Sequence, residues 1–204
     1  MKVALIGISG RVGSRIAHEL LRRGHAVVGV ARRIDNISPQ KNLTLVAGDG
    51  KQAQPLAPQI KGCDALISAA RFSDGPTADD VLALVKAAGI ARLLVVGGAG
   101  SLEVAPGKRV LDTPDFPDSY KPEANAGAIF LARLQQEQEV DWTFLSPSAE
   151  FMPGQQTGQF RLGHNQLLVD SQGKSWISME DYAIAMADEL EKPQHARQRF
   201  TVGY

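Results

Sequence analysis

Three glycines at intervals of three, Gly7, Gly10 and Gly13 in GISGRVG, come directly after the apolar run VALI at residues 3–6. Such a run reads as a buried strand. A chain leaving it through closely spaced glycines can turn sharply, with no Cβ in the way, and pack its next element tightly onto the sheet. That next element is helical. Val12, Ile16, Ala17, Leu20 and Leu21 recur at helical spacing, Arg15, Arg22 and Arg23 lie elsewhere, and Gly24 supplies a stop. Strand, glycine turn and helix in that order fit a turn that carries a dinucleotide: a pyrophosphate approaches bare backbone and faces the N–H groups of the first helical turn. Gly7, Ser9, Gly10, Arg11, Val12 and Gly13 are the candidate contacts. The same glycines would also serve a plain tight strand-to-helix connection, but the strand and the amphipathic helix around them favour the dinucleotide.

Further short apolar runs at residues 26–31, 43–46, 65–68, 93–96 and 143–145 read as strands buried on both faces. Between them fall helical patterns at 51–60, interrupted by Pro55 and Pro58, at 78–88, where Thr77 and Asp80 make a capping box, and at 123–138. The alternation predicts an α/β fold, a Rossmann-like doubly wound parallel sheet with helices on both faces and a ligand crevice at the carboxyl ends of the strands. That edge gathers the glycine turn, Arg32, Asp49 and Gly50, Ser68, Ala69 and Ala70, Gly98 within 97–101, and Pro147 as cofactor contacts. Residues 148–178 read as a loop with one or two short strands and a turn near Gln172 and Gly173, a small substrate-side lobe of a single domain over 1–204. Ser178 and Asp181 start a last helix by a second capping box, and a final strand runs over 199–202.

Lys plus Arg equals Asp plus Glu at 22 each, so no global field draws the chain to nucleic acid or a membrane. The first 33 residues nonetheless carry Lys2, Arg11, Arg15, Arg22, Arg23, Arg32 and Arg33 against Glu19 alone, which suits a polyphosphate, although helix arginines can simply be solvated. No signal-like segment or apolar span of about 18 residues occurs, and a cytoplasmic protein is expected. Cys63 is the one cysteine, and His18, His25, His164 and His195 are scattered, so no metal site is expected. A Gly-x-Ser-x-Gly elbow is missing, which argues against a hydrolase. The expected partner is a small-molecule acceptor, with the chain a monomer or homodimer.

An NAD site places an acid about 20 residues past the glycines, on the ribose hydroxyls. Here the second strand ends AlaArgArg, and Arg32 or Arg33 can pair with a 2′-phosphate, with Arg11 helping from the turn. NADP(H) is therefore favoured over NAD(H). Asp49 in AGD either accepts from the adenine amino group or caps the next helix.

GISGRVG, VARR, VAGD, ISAA, VVGGAGSL, TPDFPDSYKPEA and DWTFLSPSAEF together resemble the atypical short-chain dehydrogenase/reductases. More narrowly they resemble the NAD(P)H-binding proteins labelled NADH-flavin reductases, kin of biliverdin reductase B and the NmrA-like proteins. The resemblance spans the chain and implies that Arg32 meets the 2′-phosphate and that Asp49 and Gly50 lie by the adenine. It also implies catalytic roles for Tyr120 and Ser101, with one departure. The larger family couples its tyrosine to a lysine four residues on, and here that residue is Ala124, with Lys121 adjacent instead. A tyrosine without such a neighbour titrates near pH ~10; it can donate a proton but is a poor base for oxidising an alcohol. Ser101 either orients a substrate oxygen or merely turns the loop. Reduction of a flavin, quinone or carbonyl acceptor by hydride from the dinucleotide is the expected function. The alternatives are a catalytically silent redox sensor and, disfavoured by the missing lysine, a nucleotide-sugar epimerase or dehydratase. Phe151, Phe160 and Trp176 are core fillers or a stacking wall for a flat acceptor, and His164 is a loop residue or a proton donor.

Overall fold

The computed structural model describes all residues 1–204. Its first half alternates β1 (Lys2–Ile6), α1 (Arg11–Arg22), β2 (Ala26–Ala31), β3 (Leu43–Ala47), α2 (Ala53–Ile60), β4 (Ala65–Ser68), α3 (Ala78–Ala88) and β5 (Arg92–Val96). A small hairpin, β6 (Glu103–Ala105) and β7 (Lys108–Arg109), and two 3-10 turns lead to α4 (Lys121–Leu134) and β8 (Asp141–Ser146). Then come β9 (Glu150–Met152), β10 (Arg161–Gly163), β11 (Trp176–Ser178), α5 (Met179–Glu191) and β12 (Gln198–Gly203).

Eight strands form one sheet in the order β10-β12-β8-β5-β4-β1-β2-β3. Every neighbouring pair is parallel except β10 against β12. The doubly wound Rossmann-like sheet is therefore present, with an antiparallel edge strand from the segment after Pro147. Strand residues alternate between two cores. Ala4, Ile6, Val28, Val30, Leu66 and Phe144 join α2, α3 and α4 on one face; Val3, Leu5, Val27, Ile67, Leu145 and Phe200 join α1 and α5 on the other. Burial on both sides is why these strands read as continuous apolar runs rather than as alternating ones.

The ends of the helices obey local chemistry. Thr77 and Asp80 form the reciprocal capping box of α3. At α5 only half of the expected box exists. Ser178 accepts from the Asp181 N–H at 3.0 Å. The fully buried Asp181 carboxylate instead accepts from the N–H groups of Thr157 and Gly158, both at 2.8 Å, and from the hydroxyls of Thr157 and Tyr204, both at 2.5 Å. Helix α4 ends at Leu134, earlier than the apolar pattern implied, because the Glu137 carboxylate accepts from its own downstream N–H groups at Glu139 and Val140 and turns the chain. The 148–178 segment contributes three strands: β10 on the main sheet, and β9 paired in parallel with β11. No helix is long and apolar enough to cross a membrane.

Arg15, Arg22 and Arg23 are not merely solvated. Glu19, 1 % exposed, accepts from Arg22 at 2.8 and 2.7 Å and from Arg23 at 2.7 Å. Arg23 continues to Asp188 and Glu191 of α5, each at 2.7 Å, and Arg15 reaches Glu180 at 2.5 Å. The result is a charged seam between α1 and α5. Hydrogen bonding from Arg22, with burial opposing it and Arg23 adding to it, lowers the Glu19 carboxyl from 4.5 to about 2. Since the folded value lies below the unfolded one, this stabilisation is complete above the unfolded value and fades as pH falls through the folded one. Glu19→Gln is expected to cost roughly 2–3 kcal/mol at neutral pH. The Tm gap to the parent should close as pH drops from 4.5 to 2; a gap that stays constant would assign the loss to packing instead.

Candidate dinucleotide and acceptor site

The glycine turn is shaped by contact as much as by conformation. Gly7 has φ +82°, and a Cβ there would come 2.7 Å from the carbonyl oxygen of Ala69 beyond β4. A Cβ on Gly13 would come 2.1 Å from the Gly7 carbonyl oxygen, so the start of α1 is pressed directly onto the end of β1. Helix α1 begins with Gly10 as N-cap, no side chain capping it and no acid in its first turn. Its N-terminal N–H groups thus remain available to an anion. A bare-backbone cradle beneath an uncapped helix start fits the diphosphate of a dinucleotide.

Three adjoining cavities run along the carboxyl edge of the sheet. The first is lined by Gly7, Ser9, Gly10, Arg32, Asp49, Gly50, Ala69, Ala70, Arg71 and Asp74, among others. The middle one shares Gly10, Ala69, Ala70 and Arg71 with it and adds Arg11, Val12, Phe72, Gly97, Glu123 and Met179. The far one shares Phe72, Gly97 and Glu123 with the middle and is closed by Gly98, Ser101, Phe116, Tyr120, Ala124, Gly127, Pro147, Ser148 and Phe151. The shared residues make one trough with a polar end and an apolar end.

Arg32 stands at the end of β2, on the wall of the first cavity, and enters no ion pair, unlike Arg15, Arg22 and Arg23. Arg33 is exposed and does not line the trough. Asp49 is not a helix N-cap. Its carboxylate accepts from the Lys51 N–H at 3.0 Å, while Gln52 takes the cap position of α2. The structure brings Gly7, Ser9, Gly10, Arg11, Val12, Asp49, Gly50, Ala69 and Ala70 to the first two cavities, and Gly98, Pro147, Tyr120 and Ser101 to the third. Ser68, buried within the strand end, and Gly13, buried at the helix–strand contact, lie behind that surface.

The far pocket, about 300 Å³ in volume, lies at the small end of the range for small-molecule sites. Four aromatic side chains, Phe72, Phe116, Tyr120 and Phe151, face it. Phe72 is braced by Phe130 and Phe144, at centroid distances of 5.1 and 5.9 Å, and Phe151 by Tyr182 at 4.7 Å. Trp176 instead packs on Tyr204, Phe160 lies away on the β10–α5 side, and His164 is an exposed residue outside the pocket. Tyr120 ends a 3-10 turn immediately before α4 and is 65 % exposed. A Cβ built on Gly100 would fall 2.7 Å from the Ala124 Cβ, so this loop packs close against the position where the larger family keeps its lysine.

Glu123 joins the two ends of the trough. Its carboxylate accepts from the N–H groups of Phe72 at 2.8 Å and Ser73 at 2.9 Å, and Arg71 stands 3.7 Å away. Burial pushes this carboxyl up, but the bonds from Ser73 and Phe72 and the Arg71 charge outweigh it, and the net shift is downward. Sequence alone does not single out Phe72, Phe116 or Glu123. Phe72 and Glu123 are 51 residues apart, and no local pattern links them. Arg71, directly after ISAA, carries the better signal.

Fold and trough define a dinucleotide-binding protein of the Rossmann class. Over residues 7–193 the sequence matches the family described as NAD(P)H-binding. It is 40 % identical over 213 residues to the Bacillus subtilis (strain 168) protein YwnB, covering 99 % of this chain and 98 % of that one. A solved structure from Bacteroides thetaiotaomicron, provisionally named an epimerase, is 43 % identical with TM-score 0.93 over 100 % of this chain and 96 % of that one. Another, from Streptococcus pneumoniae TIGR4 and provisionally named an NADH-flavin reductase, is 35 % identical with TM-score 0.86 over 100 % and 99 %. The chain belongs to the NAD(P)H-binding family, of the atypical short-chain dehydrogenase/reductase type.

Replacing Glu123 by Gln removes one acceptor oxygen and the charge from the brace on Phe72 and Ser73. Each charged hydrogen bond is worth about 1.5–3 kcal/mol. Amide exchange at residues 72 and 73 is therefore expected to quicken by about tenfold or more, with exchange in β1 and β5 unchanged; protection unaltered at both amides would show that the carboxylate does not hold this loop.

Proposed function

We propose that the protein is an NADP(H)-dependent reductase of a small flat or carbonyl acceptor, such as a flavin or a quinone. The observation that carries this reading is the trough itself: a cradle for a diphosphate leads without interruption into a pocket walled by four aromatic side chains. Bound NADPH would supply a hydride there. The glycine turn and the start of α1 would hold its diphosphate, Arg32 its 2′-phosphate and Asp49 the adenine amino group. In the far pocket Phe72 and Phe151 would align a flat acceptor and exclude water, which is most of what hydride transfer between stacked rings asks of a protein. Tyr120 would donate a proton to the reduced product, and its exposure lets bulk water replace that proton. The protein would act as a monomer or homodimer in the cytoplasm, on small molecules rather than nucleic acid.

A second reading is a redox sensor that binds the dinucleotide without consuming it. It is favoured by one observation, the alanine at position 124 where the larger family keeps the lysine that activates its tyrosine. The same residue weighs against epimerase or dehydratase chemistry, which needs a tyrosine base. Turnover separates the readings: a reductase consumes NADPH when given FMN, riboflavin or a quinone, and a sensor binds it without consumption under every acceptor.

Arg32→Ala is expected to weaken NADPH binding by about 1.5–3 kcal/mol, the range for a charged hydrogen bond, and to leave NADH affinity nearly unchanged in a nicotinamide-fluorescence titration; equal losses for both would remove Arg32 from the 2′-phosphate site. Tyr120→Phe should slow reduction of a carbonyl acceptor while sparing dinucleotide affinity. Undiminished rates with every acceptor would exclude Tyr120 as the proton donor.

A further inference from the structure

Arg199 lies in β12, half-buried, on the opposite face from Phe200, which packs into the α1–α5 core. Its Nε donates to the Asn165 side-chain oxygen at 2.8 Å, while Nη1 and Nη2 reach Ser101 Oγ and the Ser101 carbonyl, both at 3.4 Å. No carboxylate pairs with it. Burial lowers its pKa, with the more distant Glu103 charge acting the other way. A guanidinium withdrawn from water and left without an anion is costly, and its presence beside a ligand pocket calls for a negative group nearby.

Ser101 lines that pocket. A hydroxyl has one proton and two lone pairs. With Arg199 donating to Oγ, the serine proton is directed away from the guanidinium, while Ser101 itself lines the pocket and Arg199 does not. The pocket's own acid, Glu123, is already engaged by the N–H groups of Phe72 and Ser73. Ser101 thus keeps its proton free for a ligand in the pocket it lines, with a positive charge within 3.4 Å of its oxygen, the arrangement that stabilises charge developing on an oxygen.

We propose that Arg199, acting through Ser101, makes the far pocket a site for an oxygen bearing negative charge, and that the acceptor is therefore a quinone-type carbonyl compound. The assignment of a substrate rests on the reductase reading; the anion site does not. A quinone that takes up a hydride from the dinucleotide, which is oxidised in the same step, gains two electrons and one hydrogen and becomes a hydroquinone monoanion. The Ser101 hydroxyl would hold its charged oxygen until a proton from water or Tyr120 neutralises it. The cation, on β12 and behind Ser101, would take over the electrostatic part of the missing lysine. Arg199 is on this account a positioning residue.

The test is a matched pair of probes, 2-naphthoate and 2-naphthamide, titrated calorimetrically into the protein saturated with NADP+. The anion is expected to bind about tenfold tighter or better. Ser101→Ala and Arg199→Met should each abolish the preference, the double variant should do no more than either alone, and Arg199→Lys should retain part of it. Thermal melts establish that each variant is folded; should Arg199→Met not fold, Arg199→Lys and Ser101→Ala carry the test. Equal affinities for the two probes, no binding of either, or a preference that survives loss of the guanidinium would overturn the proposal. If the preference holds and depends on Arg199 while NADPH is never consumed with menadione, the anion site stands and the reductase reading falls. If menadione consumes NADPH and the probes bind alike, the reductase reading stands and the anion site falls.

Discussion

Contact between Gly13 and the carbonyl of Gly7 is the constraint on which the rest of the trough depends. Closeness of that order admits no side chain at position 13, and it holds the first turn of α1 against the end of β1. Gly7 itself abuts Ala69, at the exit of β4. Three consecutive pieces of the sheet edge are therefore locked together by backbone alone, and the N–H groups at the start of α1 open onto a surface with no Cβ above it. A phosphate can approach such a surface to hydrogen-bond distance; it could not approach one built of alanines.

Charge is divided between two tasks. Arg15 and Arg23 bind the first helix to α5 through Glu180, Asp188 and Glu191, Glu19 gathers Arg22 and Arg23 at α1's own end, and Arg92 reaches the buried Glu189 at 2.9 Å. These pairs are partly desolvated, with only the Arg92 Nε left without a partner, and they set how the second layer of helices sits on the sheet. Arg32 and Arg199 differ in having no carboxylate partner, and both stand at the trough, one on its wall and the other behind Ser101. Basic residues counted along the first 33 positions do not distinguish these tasks. Pairing in space does, and it takes three of those seven basic residues, Arg15, Arg22 and Arg23, out of the charge available to the polyphosphate site.

The sheet and the binding turn were legible because their signals are local. VALI-GISGRVG and the helix after it occupy a single stretch of chain, and strands buried on both faces announce themselves as apolar runs. The carboxyl-edge rule then places Arg32, Asp49, Ala69 and Gly98 together without knowledge of any side chain. What was not legible depends on distant partners. The Asp181 carboxylate leaves its capping box because Thr157, Gly158 and Tyr204 offer four donors, none of them visible from the spacing of Ser178 and Asp181. Phe151 alone of the three aromatic residues weighed from the later sequence reaches the pocket, since β9 is carried there by its pairing with β11, whereas Trp176 on β11 turns to Tyr204.

That contrast explains why the family is easier to read than the acceptor. The polar end of the trough is made by backbone, so its sequence requirements are glycines at fixed spacing, which tolerate no substitute and stand out. Its apolar end is assembled from side chains of five separate segments: Phe72 after β4, Ser101 after β5, Phe116 and Tyr120 before α4, Ala124 within it, and Phe151 in β9. None of these residues lies in the main sheet, and Ala124 shows that a position central to the larger family's chemistry has changed identity. On the proposed reading the electrostatic work lost at that position reappears on β12, behind Ser101 and 75 residues later in the chain. Charge that can be supplied to a pocket from different elements leaves the fold unchanged, so chemistry at this end must be argued from the partners of each polar atom.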